Sequence, residues 1–353
     1  MRASQQGVAL LAVLLILAVI TVALVQMQQA AWQDLARQEV RQLQQQGAAY
    51  RLGVETLARQ VLTDGRIREQ PRFWATLRGE PVAYPVDEGV LSLRLVDLRT
   101  CFNLNQLSRF EGTEASLQHP GLLSWRLLIH HYENEDLWLE DLSLGAFLDL
   151  ARDWVDEDQD VLPQGAETPQ YLAQNPPRLA ANQAFADLSE VNWLLPLNRD
   201  RFRDLPPGLC VLPDQRLRLN VNTLAPAQWP LLWALLEGQV DALDLQAWLE
   251  ARPEVGYDDL DSFWSDLSEV GQIPDDAAWQ ARISQRLMLV SDYYRIEMAM
   301  QLGGRDWIFE SDLYLGADAS TRIYARRVGP VDGRVNWIDQ VNREEEGLDV
   351  LEF

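Results

Sequence analysis

The chain has 353 residues and carries 53 acidic against 30 basic side chains, a net charge of −23. That length allows a sizeable buried core, whereas the charge repels phosphate backbones and, with no basic stripe along the chain, excludes nucleic acid as a partner. Every cation is an arginine, and the partners such a surface favours are divalent cations and basic or neutral proteins.

The first element is hydrophobic. Met1-Arg2-Ala3-Ser4-Gln5-Gln6-Gly7 runs into an apolar stretch from Val8 to Val25 whose single polar residue is Thr21. As a helix at about 1.5 Å per residue it would measure roughly 27 Å, enough to cross a hydrocarbon core of about 30 Å with slight thinning. Arg2 on the short side holds the amino terminus in the cytoplasm. A cleaved secretory signal would need a small-x-small site followed by polar sequence, and Ala23 to Ala30 offers no clean one. Instead the helical spacing continues through Trp32, Leu35, Val40 and Leu43 to Leu52 and Leu57. It predicts one long helix over residues 8–64, with 8–25 in the membrane.

This arrangement resembles the amino terminus of type IV pilin-like proteins, in which a prepilin peptidase cuts after the glycine and leaves the helix to pack in a filament core. The resemblance makes Gly7 the last residue of a leader spanning 1–7 and Val8 the new, N-methylated amino terminus. Most such proteins carry glutamate at the fifth mature position, and here Ala12 stands there. In lacking that carboxylate the chain is similar to the minor pseudopilin K family of the type II secretion system. The family implies a noncatalytic subunit at the pseudopilus tip, crossing the inner membrane once with its soluble part in the periplasm, that supports export of folded proteins across the outer membrane. Its implied partners are minor pseudopilins of the I, J and H types and the prepilin peptidase, and its implied ligand is calcium, bound in a helical domain.

Beyond Asp64-Gly65 a polar loop with Pro71, Pro81 and Pro85 leads to the first clear strand, 90–98, in which Leu91, Leu93 and Leu95 alternate with Ser92, Arg94 and Val96. Phe102-Asn103-Leu104-Asn105 follows, and a similar phrase returns as Leu219-Asn220-Val221-Asn222. Between and after these phrases helical spacing marks Trp125 to Tyr132, Gly145 to Val155, Leu188 to Leu194, Ala227 to Leu236, Ala242 to Ala251 and Tyr257 to Leu267. Strand character resumes over 287–300, 306–315 and 321–328 as an antiparallel meander. One strand, a long helical stretch and three more strands fit an α+β fold. The long amino-terminal helix packs on one antiparallel sheet, into which a large all-helical domain is inserted. The expected division is pseudopilin sheet over 65–114 and 284–329, inserted helical domain over 115–283, and a loosely attached tail over 330–353.

Cys101 and Cys210 each end a strand-like run. In an oxidising compartment a bridge between them would close a loop worth roughly 4 to 5 kcal/mol on the chain-entropy model. Sequence spacing does not show whether their Cα atoms come close enough, so a disulfide and two buried thiols both stand open.

The strongest local constellation runs from Asp153-Trp154-Val155-Asp156 to Glu167. Asp156, Asp158, Asp160, the carbonyl of Leu162 and Glu167 fall at the alternating ligand positions of an EF-hand loop, hard oxygens that suit calcium. Val161 stands where the sharp turn needs glycine, so true EF-hand geometry is not expected. The plainer reading is a solvated acidic helix end. Against it, no basic residue between Arg152 and Arg178 offsets the crowded carboxylates.

Asp187-Leu188-Ser189-Glu190 reads as a helix cap. No catalytic residue is expected: His119, His130 and His131 accompany no metal-ligand spacing, nucleophile elbow or phosphate loop. A minor pilin of a type IV pilus and a membrane-anchored periplasmic hydrolase or DNA receptor are the alternatives. Ala12 and the helical insertion weigh against the first, the missing catalytic set and the net charge against the second.

Overall fold

The computed structural model describes residues 5–68, 71–78, 81–86, 89–134, 142–195, 205, 208–302 and 305–330. Met1 to Ser4 of the expected leader and nearly all of the expected tail lie outside the described residues.

Helix α1 spans Gln5–Thr63 without a break. Its first half is bare, with Leu15, Val19, Leu24 and Met27 each at least 60% exposed, and an 18-residue window here has a mean hydropathy of 2.1 with nothing buried. Its second half joins the core. Ala58 and Leu62 are buried against Leu95, Tyr294, Ile296 and Leu313, while Leu43 and Tyr50 pack on Leu91, Met298, Met300 and Phe309. Gly47 lets the helix sit directly on the Phe309 ring, because a Cβ there would lie 2.1 Å from Cζ. Buried Glu55 ties helix to sheet, accepting from Ser311 Oγ at 2.7 Å and from Arg326 Nε and Nη2 at 2.7 and 2.8 Å.

Residues 65–85 are not one polar loop. They hold α2 (Gly65–Arg68), α3 (Pro71–Leu77) and strand β1 (Val82–Val86). Phe73, Trp74 and Leu77 drive this ordering by entering the core beneath α1. Pro85 is tolerated because β1 is an edge strand, where a missing N–H costs no ladder bond. Strand β2 (Gly89–Asp97) follows, and after the insertion described below come β7 (Tyr293–Leu302), β8 (Arg305–Leu315) and β9 (Thr321–Pro330). All neighbours in the order β1-β2-β7-β8-β9 are antiparallel, with Leu91 opposite Met300, Leu95 opposite Ile296 and Tyr294 opposite Leu313.

The insertion leaves the sheet after Asp97 and returns at Tyr293. It comprises β3 (Phe102–Asn103), α4 (Leu123–Asn134), α5 (Leu144–Val155), α6 (Thr168–Leu172), β4 (Leu209–Cys210), β5 (Leu219–Asn220), α7 (Trp229–Leu235), α8 (Ala242–Ala251), α9 (Leu260–Val270), α10 (Ala277–Ser284) and β6 (Leu287–Met288). Residues 287–300 are therefore two strands, β6 pairing in parallel with β5 before the chain turns into β7. Residues 188–193 form a 3-10 turn. Phe102, Leu104 and Leu107 at one end and Leu287 at the other belong to the insertion's core, which reaches past the expected 115–283.

The repeated asparagine phrases have one job. Asn105 donates to the carbonyls of Phe185 and Leu212 and accepts from Phe185 N. Asn222 donates to Tyr257 and Leu289 and accepts from Tyr257 N. Each buried amide thus satisfies loop backbone groups that no helix or strand reaches. Parallel pairing of β3 with β4 brings Cys101 and Cys210 to a Cα separation of 5.8 Å, and they form a disulfide across 109 residues of chain.

Candidate metal centre

Helix α5 starts on Ser143, whose hydroxyl accepts from Ala146 N, and buries Phe147, Leu148, Ala151, Trp154 and Val155. On this largely buried helix two carboxylates, Asp149 and Asp153, are themselves fully buried. Asp149 is satisfied by the N–H groups of Ser116 at 2.7 Å and Gln164 at 3.0 Å. Asp153 receives the Leu162 N–H on Oδ2 at 3.2 Å. The 156–167 loop folds back onto α5 closely enough that a Cβ on Gly165 would lie 2.0 Å from that same Oδ2, so a glycine is required there.

That return brings Glu167, at the start of α6, beside Asp153 and Asp156. One carboxylate oxygen from each of the three lies within 4.8 Å of the others. Asp153 Oδ1, Asp156 Oδ1 and Glu167 Oε1 are all buried and have no hydrogen-bond partner. Orphaned acceptors from three converging acids are costly unless a cation sits among them.

The electrostatics agree. Burial, then the charges of Asp156 and Asp149, push the Asp153 carboxyl up to about 7. Burial, then Asp153 and Asp156, raise Glu167 to about 8, and burial, then Asp158, raises Asp156 to about 6. Buried Arg152 gives no hydrogen bond to the trio: its Nη1 and Nη2 groups donate to the carbonyls of Phe110, Gly112 and Glu114 and to Ser116 Oγ. Three oxygen donors without nitrogen or sulfur suit a hard divalent cation.

Of the residues expected from sequence, the structure brings Asp156 and Glu167 together. Asp158 and Asp160 stand exposed one step outward, Asp158 Oδ1 accepting from Asp160 N at 2.8 Å, and with Asp156 they rim an open cleft of about 400 Å³ against Phe110 to Thr113. Leu162 is buried, and its carbonyl accepts from Gly165 N. Asp153 takes the third place, which EF-hand spacing did not point to. The signal that could have found it is a pair of acids four residues apart on an apolar helix, one face of one element. Asp187 caps the 188–193 turn, accepting from Ser189 N, and also receives Arg327 of β9 at 2.9 Å. His119 caps the turn at Pro120 to Leu122, and His131 packs on Trp229.

Residues 100–214 and 219–283 match two family models, both described as type II secretion system protein K. Type II secretion system protein K of Pseudomonas aeruginosa is 32% identical over 356 residues, covering 96% of this chain and 98% of the relative. The chain belongs to the type II secretion system protein K family. The family member of Klebsiella pneumoniae is 32% identical over 271 residues, covering 75% of this chain and 80% of the relative. A chain in the crystal structure of the GspK-GspI-GspJ complex from the enterotoxigenic Escherichia coli type 2 secretion system shares the fold, with a TM-score of 0.64 at 24% identity, covering 84% of this chain and all of that one. As a family member the protein is a minor pseudopilin of that system.

Proposed function

We propose that this protein is a noncatalytic subunit at the tip of the pseudopilus, assembling with other minor pseudopilins to support export of folded periplasmic proteins across the outer membrane. The observation that carries the reading is the divided character of α1: exposed and, Thr21 apart, apolar from Val13 to Val25, then locked to the sheet through Glu55 and Leu62. The bare half anchors the chain once in the inner membrane, with the soluble part in the periplasm. Prepilin peptidase cuts between Gly7 and Val8, and Val8 is then methylated. Ala12 leaves the helix without a carboxylate to offset a neighbour's terminal amine, which favours a place at one end of a filament.

A groove of about 340 Å³ between α1 and the sheet edge, lined by Tyr50, Val54, Leu57, Tyr84 and Leu93, offers an apolar seat for a partner's helix. The related structure is a complex with GspI and GspJ; I-type and J-type subunits, with H-type, are the partners assigned here. Asp153, Asp156 and Glu167 hold calcium, with Asp158, Asp160 and the Leu162 carbonyl nearest to complete its shell, and the ion supplies the positive charge that these buried acids lack.

Amino-terminal sequencing and copurification test the assembly reading. The mature chain begins at Val8 and copurifies with the I and J subunits, and a Gly7→Leu variant keeps its leader and does not assemble. A chain still starting at Met1, or long homopolymers of the purified protein, would sink it.

A further inference from the structure

One cleft on this acidic protein is lined by arginines. A cavity of about 650 Å³ in the insertion is lined by Arg109, Arg216, Arg218, Arg282 and Arg286 and by no carboxylate among the described residues. In a chain of net charge −23 such segregation runs against the average composition. Glu237 serves Arg282 at 2.8 Å and Arg286 at 3.8 Å, and so offsets one charge. Arg109, Arg216 and Arg218 have no ion-pair partner among the described residues.

The cleft wall is rigidly framed. Buried Arg99 holds Asp214 at 2.5 Å and also donates to the carbonyl of Arg216, fixing the segment that presents Arg216 and Arg218. Arg109 ends the 3-10 turn Leu104–Arg109, which begins in the core. Phe110 and Leu217 add apolar wall, and Gln215 and Gln285 add amide donors and acceptors.

We infer that this cleft binds a carboxylate-rich peptide segment of a partner protein. Guanidinium groups pair carboxylates in a two-pronged geometry, and several at fixed spacing select a row of them. The volume lies in the range of roughly 300 to 1,000 Å³ that holds a ligand of many atoms, far more than one small anion needs. Glutamine amides and apolar wall match a peptide backbone and its side chains. A nucleic acid is disfavoured because the surrounding surface repels a long polyanion, whereas a short acidic segment meets only the basic pocket. Phe110 stands between this cleft and the acidic one beside Asp156, whereas the groove beside α1 shares no lining residue with it.

Fluorescence anisotropy of a labelled octaglutamate peptide, with the full chain in detergent, tests it. Saturable binding that weakens with salt is expected. It should weaken at least tenfold in an Arg109→Glu/Arg216→Glu variant, whose two changed side chains are exposed and unpaired, and less in the Arg109→Lys/Arg216→Lys variant, which keeps the charge and loses the fork. Equal affinity in the charge-reversed variant overturns the proposal. So does displacement of the peptide by inorganic phosphate at similar concentration, which would make the cleft a small-anion site. A full chain carrying Glu344→Gln, Glu345→Gln and Glu346→Gln should bind the peptide as the parent does. Tighter binding there would mean that the chain's own acidic tail competes for the cleft, and would overturn the partner assignment.

Discussion

Replacing Asp153 with asparagine should move stability in opposite directions with and without calcium. The side chain keeps its shape, and its amide oxygen can still accept the Leu162 N–H, so packing is preserved while one buried negative charge is removed. Without a cation that charge is a burden: holding the Asp153 carboxyl at about 7 instead of its ordinary 3.8 corresponds to roughly 4 kcal/mol at about 1.4 kcal/mol per pH unit. For a carboxyl raised in this way the folded state holds the proton more tightly than the unfolded chain. Its stabilising effect is complete below pH of about 4 and is lost as the pH rises through about 7. At pH 8 in chelator, Asp153→Asn should therefore melt above the parent. With calcium the sign reverses. A ligand at about ten thousand times its Kd adds roughly 5.5 kcal/mol, more than the burden of roughly 4 kcal/mol, and the variant forfeits most of that gain with the ligand. Differential scanning calorimetry of both proteins in calcium and in chelator reads the crossing directly. Two proteins that keep the same order of melting in both conditions would refute the reasoning, since a merely solvated acidic loop gives no crossing.

Calcium affinity should itself rise with pH up to about 8, because Asp156, Asp153 and Glu167 must release their protons, raised to about 6, 7 and 8, before they can bind; titration calorimetry in buffers of different ionisation enthalpy counts the protons released. Gly47→Leu should force α1 off the Phe309 ring and cost about 1–3 kcal/mol in urea unfolding, whereas the same change at Gly53, where a Cβ meets nothing, should cost far less. Glu55→Leu should strip Arg326 and Ser311 of their shared acceptor and lower stability by roughly 3 kcal/mol. In the parent, where burial is outweighed by the Arg326 and Ser311 bonds and Glu55 stays below its ordinary 4.5, that contribution should be complete above pH 4.5 and fade as the pH falls further. Replacing Cys101 and Cys210 with serine should cost about 4–5 kcal/mol on the loop-entropy model, seen as a lower urea midpoint that reductant does not shift further.

The long amino-terminal helix, the strand around Leu91 to Leu95 and the acidic loop at Asp156 could be read from the chain because each depends on neighbours within a few residues: an apolar period, an alternation, a run of like charge. Proline content misled at 65–85, since Phe73, Trp74 and Leu77 order that stretch only by entering a core built from distant residues. The cysteines show why pairing is a tertiary matter, for Cys101 meets Cys210 only when β3 lies against β4. So does the candidate metal centre. Asp156 and Glu167 announce themselves on one loop, but Asp153 belongs to a helix and becomes their neighbour only because Gly165 lets the loop close over it. Sequence by itself determined which segments are apolar, helical or acidic, since those properties are local. Which of them touch was left to the packed core, where burial brings together groups far apart in the chain and removes the water that would otherwise have kept their charges independent.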